Sequence, residues 1–357
     1  MRIAIILGTR PEIIKMSPII RECERKHNFF IIHSGQHYSY NMDYIFFEQL
    51  ELTRPKINLD VGSGSHGEQT GKMLIKLEAV LKDEKPDLVL VQGDTNTALA
   101  GALTASKMRI KIGHIEAGMR SFDRNMPEEI NRILIDHISD YLFAPNIYAQ
   151  KNLLNEGLPD NQIFVCGNTI TEAVFQNLKI AEKIYNSDSY PKSYFLATIH
   201  RQENTDTQER LDNILKGLGK LYDEFKLPII FPIHPRTKKN LETFGFILPK
   251  GIELIEPLGY LEFLQLEKNA KLILTDSGGV QEEACILGVS CVTLRDTTEW
   301  IETLEVEANV LAGYNPDDIL SCSRSMLERK TWKNPFGDDD SSRKIMDIIC
   351  AKMQIMC

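Results

Sequence analysis

Short apolar runs alternate with longer amphipathic ones along the whole chain. A short run rich in Ile, Val and Leu, closed by a polar turn, reads as a buried strand. Apolar residues recurring every three or four positions read as a helix. On that basis the first half carries strands at 2–7, 29–33, 88–92, 111–115, 141–144 and 163–166. Helices are predicted at 11–27, 42–50, 68–81, 97–107, 127–137 and 148–155, with Pro11 suited to a first helical turn. The pattern restarts after Gly167. Strands then fall at 194–198, 229–232, 252–255, 272–275 and 290–294, and helices at 208–225, 260–267, 280–287 and 316–328. The polar stretch 183–192 reads as a loop after a linker helix, 333–340 as a second break, and 341–353 as a last helix.

Strands that alternate with helices build parallel sheets. The expected architecture is α/β, with two doubly wound Rossmann-like domains facing a central cleft. The expected division is 1–167, completed by the C-terminal helix at 341–357, and 168–340. Open sheets of this class bind ligands at the carboxyl ends of their strands.

Composition narrows the ligand. A length of 357 residues leaves room for two cores, and 43% hydrophobic with 25% charged residues is ordinary for a globular protein. A formal net charge of −9 argues against nucleic acid or an anionic membrane as a partner. Seven cysteines without a C-x-x-C pair favour free thiols in a reducing, cytoplasmic setting. The apolar start of the chain is too short for a spanning helix.

The polar residues collect where strands end. Gly8-Thr9-Arg10-Pro11 follows the first strand, with Lys15 a turn later. Gln92-Gly93-Asp94-Thr95 follows the strand at 88–92, and His114, Glu116 and Arg120 surround the end of the strand at 111–115. In the second half the same places carry His200-Arg201, His234-Pro235-Arg236 and Asp276-Ser277-Gly278-Gly279. Each cluster alone also fits a cap or a turn. All of them at one sheet edge fit a ligand better. Ser277-Gly278-Gly279 opening a helix offers bare N–H groups and a positive helix end to a phosphate. Glu283 falls on the first turns of that helix, in reach of a ribose hydroxyl. Arg10 and Lys15 add cations. A nucleoside diphosphate fits this set better than a bare metabolite.

Other chemistries lack their signatures. No G-x-G-x-x-G follows the first strand, and no G-x-x-x-x-G-K-[ST] or G-x-S-x-G occurs. His114-Ile115-Glu116 has the H-x-E spacing of zinc deaminases, but no P-C-x-x-C follows, so His114 reads as a structural strand-end residue. No metal and no cofactor is expected.

LGTRPEIIK (7–15), QGDTNT (92–97), HIEAGMRS (114–121), MPEEINR (126–132), TIHRQEN (198–204) and TDSGGVQEEA (275–284) occur in this order. Together they closely resemble the non-hydrolysing UDP-N-acetylglucosamine 2-epimerases, and the resemblance covers 2–309. It implies a fold like the GT-B glycosyltransferases, a homodimer, and interconversion of UDP-GlcNAc and UDP-ManNAc as substrate and product. It implies Asp94, Glu116 and Glu128 as catalytic carboxylates, with His200 as a catalytic or phosphate-contacting group. UDP contacts are implied for Arg10, Lys15, His200, Ser277, Gly278, Gly279 and Glu283. Glu129, one place beyond Glu128 on a helix, points elsewhere and reads as structural. Some bacterial members are activated by UDP-GlcNAc beside the active site. Gln36, Glu128, Arg201 and His234 match positions used there, while Glu68 stands where an arginine is usual, so altered activation is expected. The family also usually reads R-D-T-T-E-R-P-E late in the chain. Here Trp300 replaces the second arginine, which leaves either a changed diphosphate contact or a packing residue.

The implied reaction explains the need for several acids. The C2 proton of an N-acetylhexosamine is not next to a carbonyl. Loss of UDP from C1 acidifies it, and two acid–base groups can then serve opposite faces of the sugar. A hydrolysing 2-epimerase releasing ManNAc and UDP, a 2-epimerase for a related UDP-2-acetamido sugar, a glycosyltransferase and a UDP-sugar sensor are the alternatives.

Overall fold

The structure is a computed structural model that describes residues 1–35, 40–185, 190–329 and 331–353, with backbone only for 40–43. It divides into two compact units, Met1–Gln176 with Phe336–Cys357, and Asn177–Pro335. The first division falls inside the helix Thr169–Ile184, later than the pattern restart after Gly167.

In the first unit the strands are β1 (Arg2–Leu7), β2 (Asn28–His33), β3 (Ile57–Asn58), β4 (Leu88–Gln92), β5 (Lys111–Ile115), β6 (Tyr141–Ala144) and β7 (Ile163–Val165). They form one parallel sheet in the order β3-β2-β1-β4-β5-β6-β7. Helices cover both faces, so the central strands are apolar throughout rather than alternating. Ile3 to Leu7 and Leu88 to Val91 are fully buried. Ala4, Ile6, Val89 and Val91 pack on Met73, Leu77, Ala98 and Ala102 from the helices His66–Glu84 and Asn96–Lys107.

The second unit repeats the plan with β8 (Phe195–Thr198), β9 (Ile229–Pro232), β10 (Ile252–Ile255), β11 (Leu272–Thr275), β12 (Cys291–Thr293) and β13 (Asn309–Leu311). Its parallel order is β10-β9-β8-β11-β12-β13. Strand order reverses beside β1 and β4 in one sheet and beside β8 and β11 in the other. Those are the topological switch points where such sheets open toward a ligand.

The α/β parallel-sheet expectation holds for each unit. The predicted strands are present to within a residue at each end. Two edge strands, β3 and β13, were not predicted, nor were the helices Gln202–Thr205, Pro235–Phe244 and Ile301–Glu305. Cys23, Cys166, Cys285, Cys291 and Cys322 are free thiols as expected, whereas Cys350 is disulfide-bonded. Among the described residues no helix is long and apolar enough to cross a membrane.

Candidate active site

In the first unit the site grows from the ends of β1, β4 and β5. After β1 the chain must turn tightly against its neighbours. A Cβ on Gly8 would lie 2.0 Å from Ser34 Oγ and 2.5 Å from Thr97 Oγ1, so any side chain there would displace these two hydroxyls. Thr9 then caps the helix Arg10–Lys26 in a capping box with Glu12. Glu12 Oε2 accepts from Gly8 N at 2.9 Å, Thr9 N at 2.8 Å and Thr9 Oγ1 at 2.9 Å. Glu12 Oε1 meets Thr95 Oγ1 at 2.7 Å and so ties the β1 loop to the β4 loop. Burial pushes the Glu12 carboxyl up to about 7 against these hydrogen bonds. Arg10 is exposed, its guanidinium 5.7 Å from the centre of the Phe46 ring.

Lys15 reaches across to β5. Its Nζ donates to Glu116 Oε1 at 2.8 Å and Oε2 at 3.0 Å, and Gln92 Nε2 donates to Glu116 Oε2 as well. Glu116 has φ of +68°, a left-handed conformation that costs a non-glycine residue about 1 kcal/mol or more. Its backbone N and that of Ala117 both donate to Phe143 O at 3.1 Å, which holds the turn. Asp94 is bound by Arg132, whose Nε lies 3.2 Å from Asp94 Oδ2 and whose Nη2 donates to the same oxygen. Asn131 Nδ2 donates to Asp94 O at 2.8 Å.

Glu128 and Glu129 divide as expected for neighbours on a helix. Glu128 is exposed in the first turn of the helix Pro127–Ile138. Glu129 is buried and accepts from Ser121 N at 2.9 Å, Phe122 N at 3.1 Å and Arg132 Nη1 at 3.0 Å. It anchors the loop between β5 and that helix.

In the second unit Asp276, at the end of β11, is the anchor. It is fully buried and receives His200 Nδ1 at 2.9 Å, His200 N at 3.1 Å, Arg201 N at 3.0 Å and Asn204 Nδ2 at 3.1 Å. Burial would push this carboxyl up, but the His200, Arg201 and Asn204 donors outweigh it and hold it below its usual range. The result is a half-exposed imidazole fixed at the end of β8. Beside it, Ser277 N-caps the helix Gly278–Leu287 without a side-chain capping bond. Gly278 and Gly279 open that helix. Glu283 is buried next to Tyr260 and Glu267; burial and then the Glu283 charge push both of those groups well up.

Of the residues matched to an activator position, Arg201 donates from Nε to Asp276 O at 2.9 Å, and His234 caps the helix Pro235–Phe244 with its ring 6.2 Å from that of His200. Gln36 lies outside the described residues. Trp300 is 8% exposed, with its indole Nε1 3.3 Å from where a Cβ on Gly278 would stand.

Sequence reading missed Arg132, Gln92, Glu12 and Asp276 as partners of the acids and of His200. Arg132 closes a quoted motif and Asp276 opens one, but nothing local tells which side chain each one binds. Among the described residues no group of three His, Cys, Asp or Glu side chains could hold a metal.

The family model of the UDP-N-acetylglucosamine 2-epimerases matches residues 21–350. The UDP-N-acetylglucosamine 2-epimerase of Methanocaldococcus jannaschii is 60% identical to the chain, covering 98% of it and 99% of the relative. The UDP-2,3-diacetamido-2,3-dideoxy-D-glucuronate 2-epimerase of Pseudomonas aeruginosa is 44% identical, covering 98% and 99%. The crystal structure of the M. jannaschii UDP-GlcNAc 2-epimerase in complex with UDP-GlcNAc and UDP superposes with a TM-score of 0.86 at 59% identity, covering 98% of this chain and 100% of that one. By sequence and fold over nearly its full length, the chain belongs to the UDP-N-acetylglucosamine 2-epimerase family.

Proposed function

We propose that this protein epimerises C2 of UDP-N-acetylglucosamine, giving UDP-N-acetylmannosamine, and that the reaction is reversible. The observation that carries the reading is the 60% identity over the full length to a relative named for that activity. In the assigned mechanism the anomeric C1–O bond breaks and its electron pair leaves with UDP. A carboxylate removes the C2 proton, and the C–H pair becomes the C1–C2 double bond of 2-acetamidoglucal. A second acid delivers a proton to the other face of C2, and the UDP oxygen re-adds at C1.

Asp94, Glu116 and Glu128 are assigned to the proton transfers. Lys15, bound to Glu116, and Arg132, bound to Asp94, hold each carboxylate in a fixed orientation. His200, Ser277, Gly278 and Gly279 are assigned to the departing diphosphate. Its charge is met there by an imidazole and by helix N–H groups that are oriented before the bond breaks. Arg10 and Glu283 are assigned to the nucleotide, and a cytoplasmic homodimer is the proposed working form.

The test is incubation with UDP-GlcNAc alone, followed by NMR of the products. UDP-ManNAc is expected without any acceptor. Free ManNAc with UDP would make the protein a hydrolysing enzyme, and no turnover would remove the reading. Asp94→Asn, Glu116→Gln and Glu128→Gln are each expected to lower kcat by about two orders of magnitude. Near-normal kcat in all three would remove the assignment of the acids.

A further inference from the structure

His114 lies at the end of β5, fully buried, and the mechanism above does not use it. Its Nε2 is 2.8 Å from the carbonyl oxygen of Gly93, the residue before Asp94. Its Nδ1 is 2.6 Å from Asp136 Oδ1. Asp136, also fully buried, takes Arg120 Nη1 at 2.7 Å and Gly118 N at 3.1 Å on its other oxygen. Arg120 in turn holds Glu156 at 2.7 Å through both Nε and Nη2. Asp136 faces the imidazole directly, Arg120 through Asp136, and Glu156 through Arg120.

The network joins two candidate acids through their backbones. Gly93 precedes Asp94. Gly118 follows Glu116 by two residues, and its own φ is +82°. Both turns hold left-handed backbone, at Gly93 with φ of +68° and at Glu116. A turn of that kind keeps its shape only when its surroundings fix it. The partners of His114 also restrict the ring. A carbonyl oxygen only accepts, so the Nε2 that faces Gly93 carries a proton and donates it.

We propose that His114, clamped by Asp136, is a positioning residue that sets the backbone of the β4 and β5 turns and thereby the geometry of Asp94 and Glu116. It touches neither substrate nor reacting atoms. This rests on the epimerase reading, because positioning is read through turnover. The expected signature is a loss in kcat without a loss of nucleotide binding, since small misplacement of acid–base groups is costly to rate alone.

The substitutions separate the two bonds. A glutamine amide resembles the Nε2 side of the ring and an asparagine amide the Nδ1 side. His114→Asn, which loses the donor to Gly93, is expected to lower kcat about tenfold or more, with KM and UDP affinity changed less than about threefold. His114→Gln, which can keep that donor, is expected to retain more of kcat. In an Asp94→Asn background His114→Asn is expected to cost little further, because both changes act on the same acid.

Wild-type kcat in His114→Asn would overturn the proposal. So would full additivity with Asp94→Asn, or a kcat loss matched by an equal loss of UDP affinity, as general unfolding would give. A direct reading needs no variant. In wild-type protein with 15N-labelled histidine, a buried ring with a slowly exchanging Nε2–H is expected. Finding that none of the eight histidines shows this would overturn the clamp. If wild-type protein does not turn over UDP-GlcNAc, the epimerase reading fails by itself, and the imidazole spectrum still decides the clamp.

Discussion

Trp300 stands where the family usually has an arginine, and its surroundings decide between the two meanings of that change. The side chain is buried, its backbone N donates to Thr298 Oγ1 at 3.1 Å, and its carbonyl accepts from Thr303 Oγ1 at 2.7 Å. The indole packs beside Gly278, at the positive end of the helix Gly278–Leu287. An arginine there would bring a cation into a buried place next to that helix end, with Glu299 already engaged by Arg295 at 2.8 Å. We expect Trp300→Arg to destabilise by about 3 kcal/mol, which lowers the melting temperature by roughly 6–12 °C for a domain of this size. UDP should not bind more tightly. Thermal melts with and without UDP check both points. An unchanged melting temperature with tighter UDP binding would show that the position is a diphosphate contact after all.

At the scale of elements, what the sequence disclosed follows from where information is local. Central strands such as β1, β4 and β11 are continuous apolar runs bounded by turns, so their positions are legible. β3 has only Ile57 and Asn58 and β13 only three residues, too few for any period to show. The helix Pro235–Phe244 buries just Thr237 and Leu241, so it has almost no apolar stripe; Pro235 at its start was the available signal. The strand-end acids and His200 were legible as residues in turns. Their partners were not, because Arg132 is 38 positions from Asp94 and Asp276 is 76 from His200. The capping box of the first helix was within reach of the sequence, but its tie to Thr95 required the fold. The burial of Glu12 has a measurable consequence. Folded Glu12 keeps its proton up to about pH 7, whereas an ordinary glutamate releases it near 4.5. The stabilisation from this group is therefore complete below about 4.5 and lost as pH rises through about 7. That interval corresponds to about 3 kcal/mol. Glu172 and Glu267 are also pushed up, mainly by burial, so some slope remains from them. Asp136 and Asp276 are held low by their partners and act only in acid. A neutral glutamine can still accept from Gly8 and Thr9 while donating to Thr95. Urea midpoints measured at about pH 5 and about pH 8 should thus fall less with pH in Glu12→Gln than in wild type. Equal falls in the two proteins would mean that Glu12 is ionised throughout.

For the whole molecule the sharpest question is the order of bond changes, because each unit carries one part of the assigned chemistry. The acids Asp94, Glu116 and Glu128 lie in the first unit, and the residues proposed for the diphosphate, His200 and Ser277 to Gly279, in the second. If C1–O cleavage precedes reprotonation of C2, the original C2 proton sits on a carboxylate that can exchange with water. Reaction in deuterium oxide is then expected to place deuterium at C2 of the epimerised product. The free diphosphate can rotate before it re-adds, so oxygen label in the anomeric bridge should scramble into non-bridging positions. A small leak of UDP and 2-acetamidoglucal is expected whenever the intermediate escapes before re-addition. A route through a ketone exchanges hydrogen without releasing UDP, so it predicts neither bridge scrambling nor glycal. Glycosyl transfer leaves the C2 hydrogen in place and needs an acceptor. NMR of the product resolves both the C2 isotope and the bridge oxygen in a single sample. UDP-ManNAc that keeps its C2 hydrogen and its bridge label would overturn the elimination mechanism while leaving the epimerase activity itself intact.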